Sequence, residues 1–303
     1  MSDEPQFVTE SEHEKRPAGN EKQLEPGLYV VGTPIGNLED MTLRGLRVLR
    51  QADVIACEDT RQTQKLLGHF GIKTPKLSYH RHNELGRTEE LIAQLRAGTK
   101  VALVSDAGMP GISDPGGALV AAAIAAGVDV IPVPGANAAL AALVASGLDA
   151  ESFVYLGFLP PRTGERRSFL EGVTGERRTM IFYEAPHRIA DSLIDVEAVL
   201  GAGRHVVLAR ELTKLHEEFL RGTAAEVRTA VAAREGLRGE MVLLVAGAAG
   251  DAAGPIGEQG LIARVRELID ADGLEEKEAL KKAAKERGLG KSEAYREWQR
   301  RRR

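Results

Sequence analysis

Residues 100–117 read Lys-Val-Ala-Leu-Val-Ser-Asp-Ala-Gly-Met-Pro-Gly-Ile-Ser-Asp-Pro-Gly-Gly, and an apolar run follows at 118–126. Four apolar residues are too few for a buried helix but the right length for a buried strand. They run into a loop of glycine, proline and small polar residues, after which a helical pattern begins at Gly117. Strand, broad loop, helix is the unit of an α/β sheet, whose ligands bind at the carboxyl ends of its strands.

The same unit recurs on both sides. Leu28-Tyr-Val-Val-Gly32, Asp53-Val-Ile-Ala-Cys57 and Val128-Asp-Val-Ile-Pro-Val133 read as further strands, with helical patterns at 42–52, 60–69, 84–97, 117–126 and 138–146. Apolar strands that alternate with helices predict a mostly parallel sheet covered on both faces. Gly98, Gly127 and Gly147 each follow a helical run, where a left-handed cap is expected. Beyond Gly147 strands dominate, at 153–158, 179–183, 205–209, 217–221 and 241–245, and two helices are expected at 188–200 and 224–234. Close-set strands near 205–213 and 216–222 predict a hairpin, and hence a mixed sheet.

The division that follows is a disordered tail at 1–26, an α/β domain at 27–148, a mixed α/β domain at 149–248, and a linker with basic amphipathic helices at 249–303. Charge is uneven under a net −4: residues 1–26 hold seven acids and three bases, whereas residues 261–303 hold thirteen bases and nine acids and end in four arginines. Such a chain is not a globally basic nucleic-acid binder, so any RNA contact must be local. Composition is that of a soluble globular protein, with 43% hydrophobic and 28% charged residues. The lone Cys57 excludes an internal disulfide and a four-cysteine zinc site. With no long apolar run, neither a membrane span nor a signal peptide is expected, and the reading is a cytoplasmic protein.

Four strand ends carry the chemistry: Gly32-Thr-Pro-Ile-Gly-Asn37, Glu58-Asp-Thr-Arg61, the 105–117 loop, and Pro132-Val-Pro-Gly-Ala-Asn137. Together they predict a ligand cleft. No Gly-x-Gly-x-x-Gly opens a helix, and Gly290-Lys-Ser292 lacks the first glycine of a phosphate loop, so a dinucleotide or nucleoside triphosphate is not expected. Loops poor in lysine with acids nearby suit a cationic ligand such as a sulfonium better than phosphate. His80-x-His82-x-Glu84 has a metal-like spacing, but polar contacts at a cleft edge are the simpler reading, and no metal is expected. His187 follows a strand exit at the start of a helix, so it reads either as a structural residue or as a site residue.

Seven ordered stretches resemble a known family: Val31–Leu38, Glu58–Arg61, Leu103–Pro110, Ser113–Gly116, Ile181–Arg188, Ala209–Lys214 and Gly239–Leu244. Over residues 28–246 the chain is similar to the bacterial ribosomal RNA small-subunit methyltransferase I family, 16S cytidine 2′-O-methyltransferases of the tetrapyrrole methylase superfamily. Two departures stand out. Met109 replaces an expected threonine, and Ala136-Asn137 follow Pro134-Gly135 where a serine or cysteine is usual, both at places expected to offer backbone rather than side chain.

The resemblance implies a two-domain tetrapyrrole-methylase-like α/β fold with the cofactor cleft between domains, a C-terminal helical extension, and a homodimer. It implies S-adenosylmethionine, held by Pro34, Ser105, Asp106, Ala107, Gly108, Asn137, Ala138, Glu184, Glu211, Leu212 and Met241. The substrate it implies is a decoding-centre cytidine ribose of 16S rRNA in the small ribosomal subunit. Lys214 or His187 would act on the hydroxyl, with Glu184 beside them. Arg61, Arg162, Arg166, Arg167 and Arg188 would meet RNA phosphates. A tetrapyrrole methylase, or an idle RNA-binding protein of ribosome assembly, stands as the alternative.

Overall fold

The computed structural model describes residues 23–234, 236–248, 265, 268–269, 274–286, 294 and 298. The chain alternates β1 (Gly27–Val31), α1 (Leu43–Gln51), β2 (Val54–Cys57), α2 (Thr60–His69), β3 (Lys76–Ser78), α3 (Glu84–Arg96), β4 (Lys100–Val104), α4 (Gly117–Ala125), β5 (Val130–Val133) and α5 (Ala138–Ser146). These five strands form one sheet in the order β3-β2-β4-β1-β5, parallel throughout.

Alternation within the central strands fills two cores. Tyr29, Val31, Ala102 and Val104 pack on one face, and Leu28, Val30, Val101 and Leu103 on the other. Gly98, Gly127 and Gly147 all hold positive φ at helix ends, as expected.

The second sheet follows: β6 (Phe153–Phe158), α6 (Thr163–Gly172), β7 (Thr179–Glu184), α7 (Ile189–Leu200), β8 (His205–Arg210), β9 (Glu218–Thr223), α8 (Ala224–Ala232) and β10 (Met241–Val245). Its order is β6-β7-β10-β8-β9, with β6 and β7 parallel and the other pairs antiparallel. The mixed sheet and the β8–β9 hairpin match the expectation. Helix α6 and the three-residue β3 do not appear in the reading of the sequence.

The two sheets form one compact unit. The seam is apolar: Ile35, Ala139, Ala142 and Leu143 from the first half pack with Ile181, Val207, Ala209, Val242 and Leu244 from the second. Arg221 of β9 adds hydrogen bonds to the carbonyls of Ala145 and Ser146, gripping the end of α5.

A second unit holds residues 175–177 and the described residues from 247 on. In it α9 (Glu276–Glu286) presents Ala279, Leu280, Ala283 and Ala284 to Val265, Leu268 and Ala294, the apolar faces expected from the sequence. The tail at 1–22, most of the linker and the terminal arginines lie outside the described residues. Among the described residues no helix is long and apolar enough to cross a membrane.

Candidate functional site

Between the carboxyl ends of the first sheet and one row of strand ends of the second lies a cleft of about 440 Å³. Its first-sheet wall is built by loops locked to one another. Thr33 and Gly108 exchange backbone hydrogen bonds of 2.9 and 3.1 Å, and Thr33 Oγ1 donates to the Ser105 carbonyl. Gly32 and Gly135 meet backbone to backbone, so a Cβ on Gly135 would stand 2.7 Å from Gly32 Cα. Asp106 Oδ1 accepts from the Asp59 amide and ties the β4 loop to the β2 loop. Asn137 caps α5 through the Leu140 amide.

Most of the residues expected at the cofactor are brought together. Asp106, Ala107, Gly108, Asn137, Ala138, Glu184, Leu212 and Met241 all line the cleft, while Pro34, Ser105 and Glu211 stand outside the lining. Ser113, Tyr183 and Glu240, which lie in stretches that carry the resemblance but are not among the residues expected at the cofactor, join the wall, as does Phe158, which has no signal in the sequence. The Met109 side chain, expected to be incidental, lines the cleft and puts its sulfur over Gly32.

The wall is acidic. Burial pushes the Glu58 carboxyl above its ordinary range, and the charges of Asp114 and Asp106 add to the rise. Asp106 and Asp114 are raised by burial too, against hydrogen bonds from the Asp59 amide and the Ser105 side chain respectively. Several carboxylates beside apolar Ile35, Ile112 and Met241 make a site for a ligand with a positive charge and an apolar body.

The residues expected to act on a hydroxyl divide. Lys214 Nζ donates to Glu211 at 2.8 Å and to cleft-lining Glu240 at 3.1 Å. Burial works against its charge, but the two carboxylates outweigh it and hold the ammonium above its ordinary range. Lys214 is thereby held as a cation between Glu211 and Glu240. Its loop is strained, with Glu211 at φ 51° and Thr213 at φ 65°. His187 is exposed and outside the cleft lining. Glu184 is buried and fully engaged, accepting from Ser192 at 2.6 Å and the Ala185 amide at 2.8 Å, with Arg188 at 2.6 Å.

Two arginines expected at phosphates are engaged within the fold. Arg188 pairs with Glu184 at 2.6 Å. Arg166 is buried at 2% exposure, bonded to Asp195 and to the carbonyls of Pro160 and Pro161, so no phosphate reaches it. Arg61, Arg162 and Arg167 remain exposed. Glu84, third of the metal-like trio, accepts from Tyr79 and the Gly116 amide, and the His80 and His82 rings stand 5.9 Å apart, edge to face.

A family model described as Tetrapyrrole (Corrin/Porphyrin) Methylases matches residues 27–228. Among curated relatives, the ribosomal RNA small subunit methyltransferase I of Halalkalibacterium halodurans is 51% identical over 273 residues, 88% of this chain and 93% of its own. That of Synechocystis is 48% identical over 270 residues, 88% and 95% of the two chains. Among solved structures, the uroporphyrin-III-C-methyltransferase from Thermus thermophilus superposes with a TM-score of 0.53 at 23% identity, over 73% of this chain and 94% of its own. A cobalt precorrin-4 methyltransferase gives 0.53 at 19% identity, over 72% and 94%. The last two likenesses bear on the fold.

Proposed function

The chain belongs to the tetrapyrrole methylase family, and from that premise we propose that it is a cytoplasmic, homodimeric methyltransferase using S-adenosylmethionine. Its proposed acceptor is the ribose 2′-hydroxyl of a decoding-centre cytidine in the 16S rRNA of the small ribosomal subunit. The relatives named as ribosomal RNA small subunit methyltransferase I support the RNA acceptor. The observation that carries the cofactor is the cleft itself, in which Glu58, Asp106, Asp114 and Glu240 stand among apolar side chains. That wall suits a sulfonium on an apolar chain and repels phosphate. Its volume is in the range of small-molecule sites, roughly 300–1,000 Å³.

Bound there, S-adenosylmethionine supplies a methyl group made electrophilic by its sulfonium charge. The chain's own residues position and deprotonate. Ala107, Gly108, Asn137, Ala138, Leu212 and Met241 hold the cofactor, with Asp106 near its charge, while Pro34, Ser105 and Glu211 brace them from behind. Because their loops are locked to one another, most of the acceleration comes from orientation.

Glu58 takes the hydroxyl proton: it lines the cleft, and among the described residues no hydrogen bond engages its carboxyl. Lys214, just outside the lining, sets cleft-lining Glu240 in place and keeps a fixed positive charge beside the hydroxyl. Glu184 and Arg188 hold the β7 exit in shape. Arg61, Arg162 and Arg167 face RNA phosphates, the role left to them by their exposure.

Purified protein, labelled S-adenosylmethionine and small subunits from a strain lacking this gene test the reading, with nucleoside mass spectrometry as readout. A new 2′-O-methylcytidine is expected. Cofactor binding with methylation of a tetrapyrrole and none of RNA would overturn the acceptor, and subunit binding without any transfer would overturn the enzyme.

A further inference from the structure

The alternation of β6 breaks near its end. Phe153, Val154 and Tyr155 pair in register with Thr179, Met180 and Ile181, but the next pair is Phe158 with Tyr183. Leu156 and Gly157 therefore stand together against a single partner, which is a β-bulge, and Gly157 takes the left-handed conformation at φ 70°.

In a regular strand Phe158 would share the face of Val154 and Leu156, which packs into the core of the second sheet. The extra residue turns it to the opposite face, that of Tyr155. There its ring meets Tyr183 at 5.6 Å with the planes 70° apart. It lines the cleft and is 53% exposed. Ile112, from the loop after β4, lines the same cleft and is 39% exposed. The support behind the ring is firm: Tyr183 packs on Tyr155 at 5.1 Å, and the Tyr155 hydroxyl bonds Ser113 Oγ at 2.6 Å.

A phenyl ring taken out of a core and placed in water forgoes one of the largest apolar gains a side chain offers. The bulge thus delivers an aromatic face to the mouth of an otherwise acidic cleft. Resting on the RNA-ribose reading above, we infer that Phe158 is the stacking platform for the base of the acceptor nucleotide, with Ile112 closing on the base from the first sheet. A 2′-hydroxyl held within a stacked strand does not enter a cleft, so its nucleotide is turned out and its base loses both neighbours. An aromatic ring replaces one of them. Stacking on a ring is tolerant of base identity, so Phe158 sets reach and orientation and leaves the choice of base to other contacts.

The test compares wild type with Phe158→Ala, Phe158→Leu and Phe158→Trp on small subunits from a strain lacking the modification. Cofactor affinity is measured by calorimetry, and kcat and KM for the subunits are measured separately. Alanine and leucine are both expected to lower kcat/KM by about 5- to 150-fold with cofactor affinity and melting temperature unchanged, and tryptophan to restore it. Leucine as active as phenylalanine would overturn stacking in favour of plain apolar contact. Full activity in alanine, or a parallel loss of cofactor affinity, would overturn the platform. A wild-type protein that methylates no RNA overturns the acceptor reading and this inference with it, whereas wild-type transfer with indifferent variants overturns the inference alone.

Discussion

Glu58 and Lys214 show how neighbours decide which of two groups moves a proton. Lys214 is held charged by Glu211 and Glu240, whereas Glu58 is driven towards its neutral form by burial and by Asp114 and Asp106. A raised carboxyl binds its proton at a higher pH than usual, so the basic form of Glu58 is lost early as pH falls. The acid limb of kcat/KM is therefore expected above the ordinary carboxylate range, and Glu58→Gln is expected to abolish that limb and cost roughly 10²–10⁴-fold in rate. A limb that persists in Glu58→Gln would assign the proton elsewhere. Residues on this wall differ in how far the sequence exposed them. Asp106, Gly108 and Asn137 sit in loops rich in glycine and proline, which mark a strand end at once. Glu240 and Tyr183 fall in stretches that carry the resemblance, but their place on the wall depends on the antiparallel pairing of β10 with β7, and Phe158 reaches it through the bulge of β6, which leaves no local signature.

Helix α6 carries a charge that belongs inside. Its ten residues, Thr-Gly-Glu-Arg-Arg-Ser-Phe-Leu-Glu-Gly, hold two large apolar side chains, too few for a stripe, and Arg166 takes a core position. The segment therefore carries no apolar periodicity, and nothing local marks Arg166 as a buried residue. Asp195 of α7 answers it at 2.6 Å and also holds Arg167, pinning the two helices together. Removing one partner leaves a buried charge alone, so Asp195→Ala is expected to destabilise by about 3–5 kcal/mol in urea titration. Replacing the pair together, Arg166→Met with Asp195→Leu, is expected to recover most of that loss. An additive double variant would show the pair to be uncoupled. The central strands were legible for the opposite reason: β1, β2 and β4 are continuous apolar runs because both of their faces are covered.

At the scale of the whole molecule, the halves either side of residue 148 differ in texture, and the sequence reading divides them there. The packing joins them: α5 follows the last strand of the first sheet yet spends Ala139, Ala142 and Leu143 on the second. Leu143→Ala is expected to cost about 2–5 kcal/mol and to lower the melting of both halves in one transition. Fluorescence of a tryptophan introduced in either half would follow the same curve. Two separated transitions would show the seam to be weak. The same helix borders the cleft. Asn137 caps α5 and lines the cleft, while Arg221 grips the helix at its far end from the other sheet. A jaw needs a hinge, and here the helix beside the opening is gripped by Arg221 at one end and packed on the second sheet along its length. An opening so framed is expected to act as a mould of fixed width, sorting guests by shape at the threshold.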